Sequence, residues 1–210
     1  MGATESRSTR PPSADSRMTP AARQTAFASP DGPTSEYWRR HIVEVMPNLW
    51  LGSDKAACQL AILRNAGIRA CVNCTPQPHL HPSHFAYHHI PVGDSPDVDI
   101  LKHLPAALSW VQQHMAAGRP VLVYCHAGVS RSPTIILGML LHLRTNMTLM
   151  QAWTHLKRLR PVIRPNDGFL EQLQKYEREV HGVCTAVVCR HGLSAATAQP
   201  SAAIKSHRTI

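Results

Sequence analysis

Residues 121–134 read VLVYCHAGVSRSPT. Val121 to Tyr124, approached through Pro120, is a short run of β-forming apolar residues. It passes directly into Cys125-His126-Ala127-Gly128-Val129-Ser130-Arg131. Beyond Arg131 the apolar residues from Ile135 to Leu143 fall at helical spacing. A buried strand, a glycine-containing loop and a helix, in that order, form the unit of open α/β sheets. In such sheets ligands bind where the C-terminal end of a strand meets a helix N-terminus. The chemistry is therefore expected between Cys125 and Arg131.

Five residues separate that cysteine from the arginine. A loop of this length can turn successive backbone N–H groups inward and make an anion cradle at the head of a helix. The same donors, with the helix dipole, stabilise a thiolate on Cys125. Gly128 permits a backbone conformation that residues with side chains avoid. Arg131 offers a planar fork matched to two phosphate oxygens. Ser132 can donate a hydroxyl hydrogen bond to the sulfur when it departs. A phosphocysteine route also needs a proton donor for the leaving alcohol or phenol. Asp94, Asp97 and Asp99 are the candidates. Asp99 stands where a helix cap belongs, whereas Asp94 ends the stretch Pro91-Val92-Gly93-Asp94 on a loop free to close over the cradle. Asp94 is the favoured acid, ahead of Asp97.

Working outward, the chain has 210 residues, 43% of them hydrophobic, enough for the core of one domain. Residues 1–40, rich in Pro, Ser, Thr, Ala and Arg, are expected to be a disordered segment. Residues 41–182 make the folded domain. Residues 183–210, which lack acidic residues, make a flexible basic tail in which Val183 to Cys189 could add one short strand. The net charge of +9 divides among these segments as +2, +4 and +3, so it is spread out; it suits anionic ligands in general and gives no expectation of nucleic acid. No apolar run approaches the ~18 residues of a membrane span. The first residues lack a secretory signal, and six unevenly spaced cysteines do not read as a disulfide framework. A cytoplasmic or nuclear location follows, with a mitochondrial leader in residues 7–30 as the lesser reading.

Within the domain, residues 41–51 read as a hairpin turning at Pro47-Asn48. Ser53 or Asp54 caps a helix to Asn65 that stops at Gly67. Strands are expected over 68–75 and 85–92, a helix from Asp99 to Ala117 closed by Gly118, and further helices at 131–144, 148–159 and 168–180. Alternating strands and helices give an α/β fold with a central, mostly parallel twisted sheet flanked by helices, and the phosphate-binding loop between a strand and a helix N-terminus.

The loop and its flanks resemble the signature of the dual-specificity protein phosphatases, and three further segments agree. His41 to Gly52 resembles the family's opening "I-x-x-L-x-L-G" stretch. Ile90-Pro-Val-Gly-Asp-Ser95 resembles its general-acid loop. Arg160-Pro-Val-Ile-Arg-Pro-Asn-Asp-Gly-Phe-Leu-Glu-Gln-Leu173 resembles its "R-P-x-x-x-P-N-x-G-F-x-x-Q-L" segment, most like that of the small atypical members. The resemblance covers about residues 41–180. It implies Cys125 as nucleophile, Arg131 as phosphate clamp, Ser132 as thiolate-relay hydroxyl, Asp94 as general acid and Asn166 as a side-chain brace for the loop. It implies hydrolysis of phosphotyrosine and phosphoserine or phosphothreonine in protein substrates, signalling kinases among the partners considered, with no metal or organic cofactor. One departure is Tyr124, where the family almost always has histidine. A tyrosine hydroxyl can stand in as a donor that supports the loop, but it brings no positive charge. A phosphoprotein-binding adaptor and a phosphoinositide or RNA 5′-phosphatase are the alternative functions.

The remaining features carry blander readings. Cys71 and Cys74 with His79, His81, His84, His88 and His89 have a zinc-like look, but core cysteines and surface histidines account for them better. Cys74 could pair with an oxidised Cys125. Trp110 and Trp153 belong to the core. Arg158, Arg160 and Arg164 read as solvated charges, or else Arg160 or Arg164 lines a rim that attracts dianions. Gly2 in Met-Gly-Ala-Thr-Glu-Ser fits an N-myristoylation pattern, which would give only weak membrane contact.

Overall fold

Pro47 and Asn48 make the first turn, with Asn48 at φ +67°, a conformation that asparagine tolerates better than most residues. β1 (Ile42–Met46) and β2 (Leu49–Ser53) thereby form the expected antiparallel hairpin. The computed structural model describes residues 41–144, 146–190 and 192–196; the expectations for residues 1–40, including Gly2, and for 197–210 lie outside the described residues. β2 runs parallel to β5 (Val121–Cys125), β5 to β3 (Ala70–Asn73) and β3 to β4 (Ala86–His89), in the order β1-β2-β5-β3-β4. The strand that ends in Cys125 is thus the central one. All five of its residues are buried, because both faces of the sheet are covered.

On one face Val121, Val123 and Cys125 pack with α3 (Leu104–Ala116), α4 (Arg131–Leu143), α5 (Leu149–Leu159) and α6 (Asp167–His181). On the other, Leu122 and Tyr124 pack with α1 (Asp54–Ala57) and α2 (Leu60–Asn65). α4 is buried on every side from Ser132 to Leu141. Each fully buried Ile or Leu there contributes about 1.5–3 kcal/mol, so the helix that carries Arg131 in its first turn is anchored by the densest part of the core.

Three expectations need correction. The helix from 54 to 65 is two short helices, broken at Cys58 and Gln59. The break re-aims the second so that Ile62, Leu63 and Ala66 bury beside Ala56 and Ala57. No side-chain cap starts α1; Ser53 lies 3.3 Å from His41 Nδ1 instead. Asp99 caps a 3₁₀ turn (Leu101–His103) that leads into α3, its carboxylate accepting from Lys102 N at 3.1 Å.

The domain also continues past Gly182. β6 (Ala186–Cys189) and β7 (Gly192–Ala195) form an antiparallel hairpin whose Ala186 and Leu193 join the main core. A fully buried carboxylate, Glu177, binds it there. Oε1 accepts from Thr185 Oγ1 (2.6 Å) and from Leu149 N at the head of α5 (2.7 Å), and Oε2 accepts from Thr185 N (2.8 Å). Residues 183–190 and 192–196 therefore belong to the folded domain, not to a flexible tail, and in place of the single expected strand there is a hairpin.

Candidate active site

Cys125 ends the central strand with no exposed surface, at the bottom of the loop. Its Sγ accepts a hydrogen bond from Ser132 Oγ at 3.2 Å, the same hydroxyl lying 3.5 Å from Gly52 O. Gly128 sits at φ +66°, and a Cβ there would fall 2.7 Å from Gly52 O, so both conformation and space demand glycine.

The outside of the loop is held carbonyl by carbonyl. Asp54 N donates to His126 O (3.2 Å). Arg160 donates from NH2 to Ala127 O and from Nε to Gly128 O, each at 2.9 Å. Arg164 N donates to Val129 O at 2.7 Å. Successive peptide units whose carbonyls are drawn outward leave their N–H groups for the interior, which is the condition for an anion nest. Arg160 is thus neither a solvated charge nor a rim residue. It is 3% exposed, and burial lowers its pKa while the negative sulfur of Cys125 works in the opposite direction. The signal in the sequence was its place between the apolar Leu159 and Pro161, directly after an amphipathic helix. Arg164 lends the loop its backbone and keeps an exposed side chain. Nearby, burial and the Arg164 cation lower the pKa of Lys157, which donates to Pro161 O at 3.0 Å.

The acid loop is docked on the arginine. Arg131 NH1 donates to Val92 O at 3.1 Å, and its Nε lies 3.7 Å from Asp94 Oδ2. Asp94 Oδ1 accepts from Ser130 Oγ at 2.6 Å and from Asn166 Nδ2 at 2.9 Å. Asn166 therefore differs from its expected role. Its side-chain oxygen caps α6 by accepting from Phe169 N (3.0 Å), its side-chain nitrogen holds Asp94, and only its backbone N reaches the loop, through Ser130 Oγ at 3.2 Å. The head of α6 can come this close because residue 168 is glycine; a Cβ there would stand 2.2 Å from Pro96 O. Among the three candidate aspartates, Asp94 meets Arg131, Asp99 caps its turn and Asp97 is exposed. His126 Nδ1 lies 2.5 Å from Asp54 Oδ2, a hydrogen bond that ties α1 to the start of the loop.

Tyr124 does not support the loop. Alternation along β5 turns it to the face opposite Cys125. There its hydroxyl is buried with no hydrogen-bond partner, and burial raises its pKa above the ordinary phenol value. Cys74 lies next to the site, its N donating to Tyr124 O at 2.8 Å. Burial, and then the charge of Cys125, push its thiol well up, with Arg131 pulling the other way. Burial likewise pushes Cys71 up to about 12, against a hydrogen bond from Tyr87. Cys71 and Cys74 belong to opposite cores, and the histidines after them contact rings and carbonyls. His79 stacks on Tyr87 (4.1 Å between ring centroids), His81 Nε2 meets Cys58 O (3.0 Å) and His89 Nε2 meets Thr75 O (2.8 Å).

A parallel strand ending in a buried cysteine, a loop with its amides turned inward and an arginine in the first turn of the next helix define a class, the cysteine-loop phosphate-binding α/β domains. The model of the dual-specificity phosphatase catalytic domain matches residues 49–179. The chain belongs to the dual-specificity phosphatase family. Human dual specificity phosphatase 28 is 39% identical over 137 residues, which are 65% of this chain and 77% of that protein. Its crystal structure overlaps this one with a TM-score of 0.63, covering 73% of this chain and 99% of that one at 36% identity. Rat dual specificity protein phosphatase 12 is 34% identical over 151 residues, 70% of this chain but 44% of the relative, so this chain spans less than half of that protein. A mouse dual-specificity phosphatase crystallised with zinc tungstate has a TM-score of 0.64 at 33% identity, covering 74% of this chain and 94% of that one.

Proposed function

We propose that this domain hydrolyses phosphate monoesters of tyrosine and of serine or threonine in proteins through a phosphocysteine intermediate. The carrying observation is the outward anchoring of the Ala127, Gly128 and Val129 carbonyls directly above Cys125. It points the loop amides at the place where a tetrahedral dianion would sit. Cys125 Sγ attacks phosphorus, the P–O ester bond breaks, and Asp94 gives a proton to the departing oxygen. Water then attacks phosphorus as Asp94 takes its proton, the S–P bond breaks, and the Ser132 hydroxyl bonds the released thiolate. Arg131 and the loop amides hold the three non-bridging oxygens throughout. Tungstate, bound by the mouse relative, is a tetrahedral dianion of the same shape class as phosphate.

The test is hydrolysis of a small aryl phosphate and of phosphopeptides by wild type, Cys125→Ser and Asp94→Ala. Cys125→Ser should abolish turnover, and Asp94→Ala should lower it by about 10²–10⁴-fold. A wild-type protein as inert as Cys125→Ser, yet still binding phosphopeptide, makes the domain an adaptor. Tyr124, a neutral side chain where the family almost always has histidine, is the observation behind that second reading.

A further inference from the structure

Beside the phosphate loop lies a cleft of about 310 Å³. Its lining includes Arg131 and His126, which so belong to both sites, together with Pro76, Pro78, Leu80 and Tyr124. The charged groups of this cleft are already engaged. Asp54 Oδ2 bonds with His126 Nδ1 at 2.5 Å, and Arg131 is bound to Val92 O and Asp94. Thr75 Oγ1 donates to Asn73 Oδ1 and accepts from Gln77 N. Two prolines, a leucine, an aromatic ring and the exposed Gln77 side chain remain, together with two buried polar atoms that make no hydrogen bond, Arg131 Nε and the Tyr124 hydroxyl. The Tyr124 hydroxyl is buried and bonds to nothing in the fold. A buried polar group left unmade in this way has no explanation in packing. Cys58 also lines the cleft, and burial and then the Asp54 charge raise its pKa.

We infer that this cleft is a specificity subsite that takes an apolar side chain, of leucine or phenylalanine size, flanking the phosphorylated residue of the substrate. The inference rests on the phosphatase reading for the position of the phosphate, and its continuity with the phosphate cup is what commits it to substrate. A peptide whose phosphate is held by Arg131 must pass a neighbouring residue over His126, and the apolar wall is the surface that neighbour meets.

Binding is measured without turnover, in a Cys125→Ser background, with fluorescent phosphotyrosine peptides that differ only by Leu, Phe, Gly or Asp at one position before or after the phosphotyrosine. One flanking position should favour Leu or Phe over Gly and Asp by about tenfold or more. Pro78→Asp, at an exposed position, should erase that preference, as should Leu80→Asp. Added to wild type, Pro78→Asp should leave kcat/KM on a small aryl phosphate unchanged, because that substrate has no flanking residue. Equal affinities across the series overturn the subsite, and so does a preference that survives Pro78→Asp. Selective binding by Cys125→Ser, alongside a wild type that does not hydrolyse aryl phosphate, supports the subsite and counts against the phosphatase reading alone.

Discussion

Tyr124 and Cys125 are consecutive residues of one strand that live in different environments. Cys125 faces the large helical core, takes a hydrogen bond from Ser132 and lies under a loop tied down at four successive carbonyls. Tyr124 faces the smaller core, where its hydroxyl finds nothing. Strand alternation makes the contrast unavoidable. The residue before Cys125 points away from the sulfur side, and its influence must pass through the backbone or through charge. A buried neutral phenol whose pKa is raised supplies no charge. The support of Cys125 therefore comes from Ser132, from Asp54 N at the start of the loop and, for three of the four carbonyls, from Arg160 and Arg164 far along the chain.

The largest effect that tests this contrast is on the sulfur side. Arg131→Lys keeps the charge but loses the fork, and should cost about 10²–10³-fold in kcat/KM; tungstate affinity, measured by competition, should fall with it. Arg160→Met comes next. It frees the Ala127 and Gly128 carbonyls without touching substrate, and should lower kcat by up to about 10²-fold through misplaced amides. Arg160→Lys, with one donor group in place of a fork, should recover part of the loss. A kcat left intact in Arg160→Met, in protein that still folds by circular dichroism, would mean that the loop stands by itself and that the remote brace is unnecessary.

These two arginines also mark where sequence reasoning reached and where it stopped. That Cys125, Arg131, Ser132 and Asp94 come together was legible because each lies in a contiguous stretch with a recognisable local geometry: a loop at a helix head, and a loop just past a strand. The strand order could be expected only in outline, since register is set by packing across the chain. Arg160 was hardly legible as a brace: a guanidinium buried by tertiary contacts looks, in sequence, much like a surface charge at a helix end, and its place between Leu159 and Pro161 is the one hint otherwise. Asn166 was placed at the site but given the wrong bond; its cap on Phe169 N fixes the side chain and leaves Nδ2 for Asp94. The hairpin after Gly182 was missed for a related reason. Its strands have four residues each, too short for a periodic signal, and the Glu177 carboxylate that binds them reads as part of a solvated helix face until α6 is docked.

On the tyrosine side the expected effects are smaller and carry sign information. Tyr124→His should raise kcat/KM by roughly tenfold or less at about pH 6, and the gain should fade above about pH 7. An imidazole is charged below its ordinary value near 6.5 and neutral above it, so a benefit that works through charge must vanish in that direction. A gain that is constant with pH would point to shape instead, and no gain at all would mean that the two faces of β5 are uncoupled.

Tyr124→Phe is the smallest and cleanest measurement. It removes the orphan hydroxyl and keeps the ring. Leaving a polar group buried and unmade carries a desolvation cost that its removal recovers, about 1 kcal/mol or somewhat more, which for a chain of this size corresponds to a Tm increase of roughly 2–4 °C. Activity on a small aryl phosphate should not change, because the hydroxyl is on the far face from Cys125. Should Tm instead fall, the hydroxyl has a partner such as an ordered water in the neighbouring cleft. The tyrosine face of the strand would then be as fully satisfied as the cysteine face, and the asymmetry between them would lie only in charge.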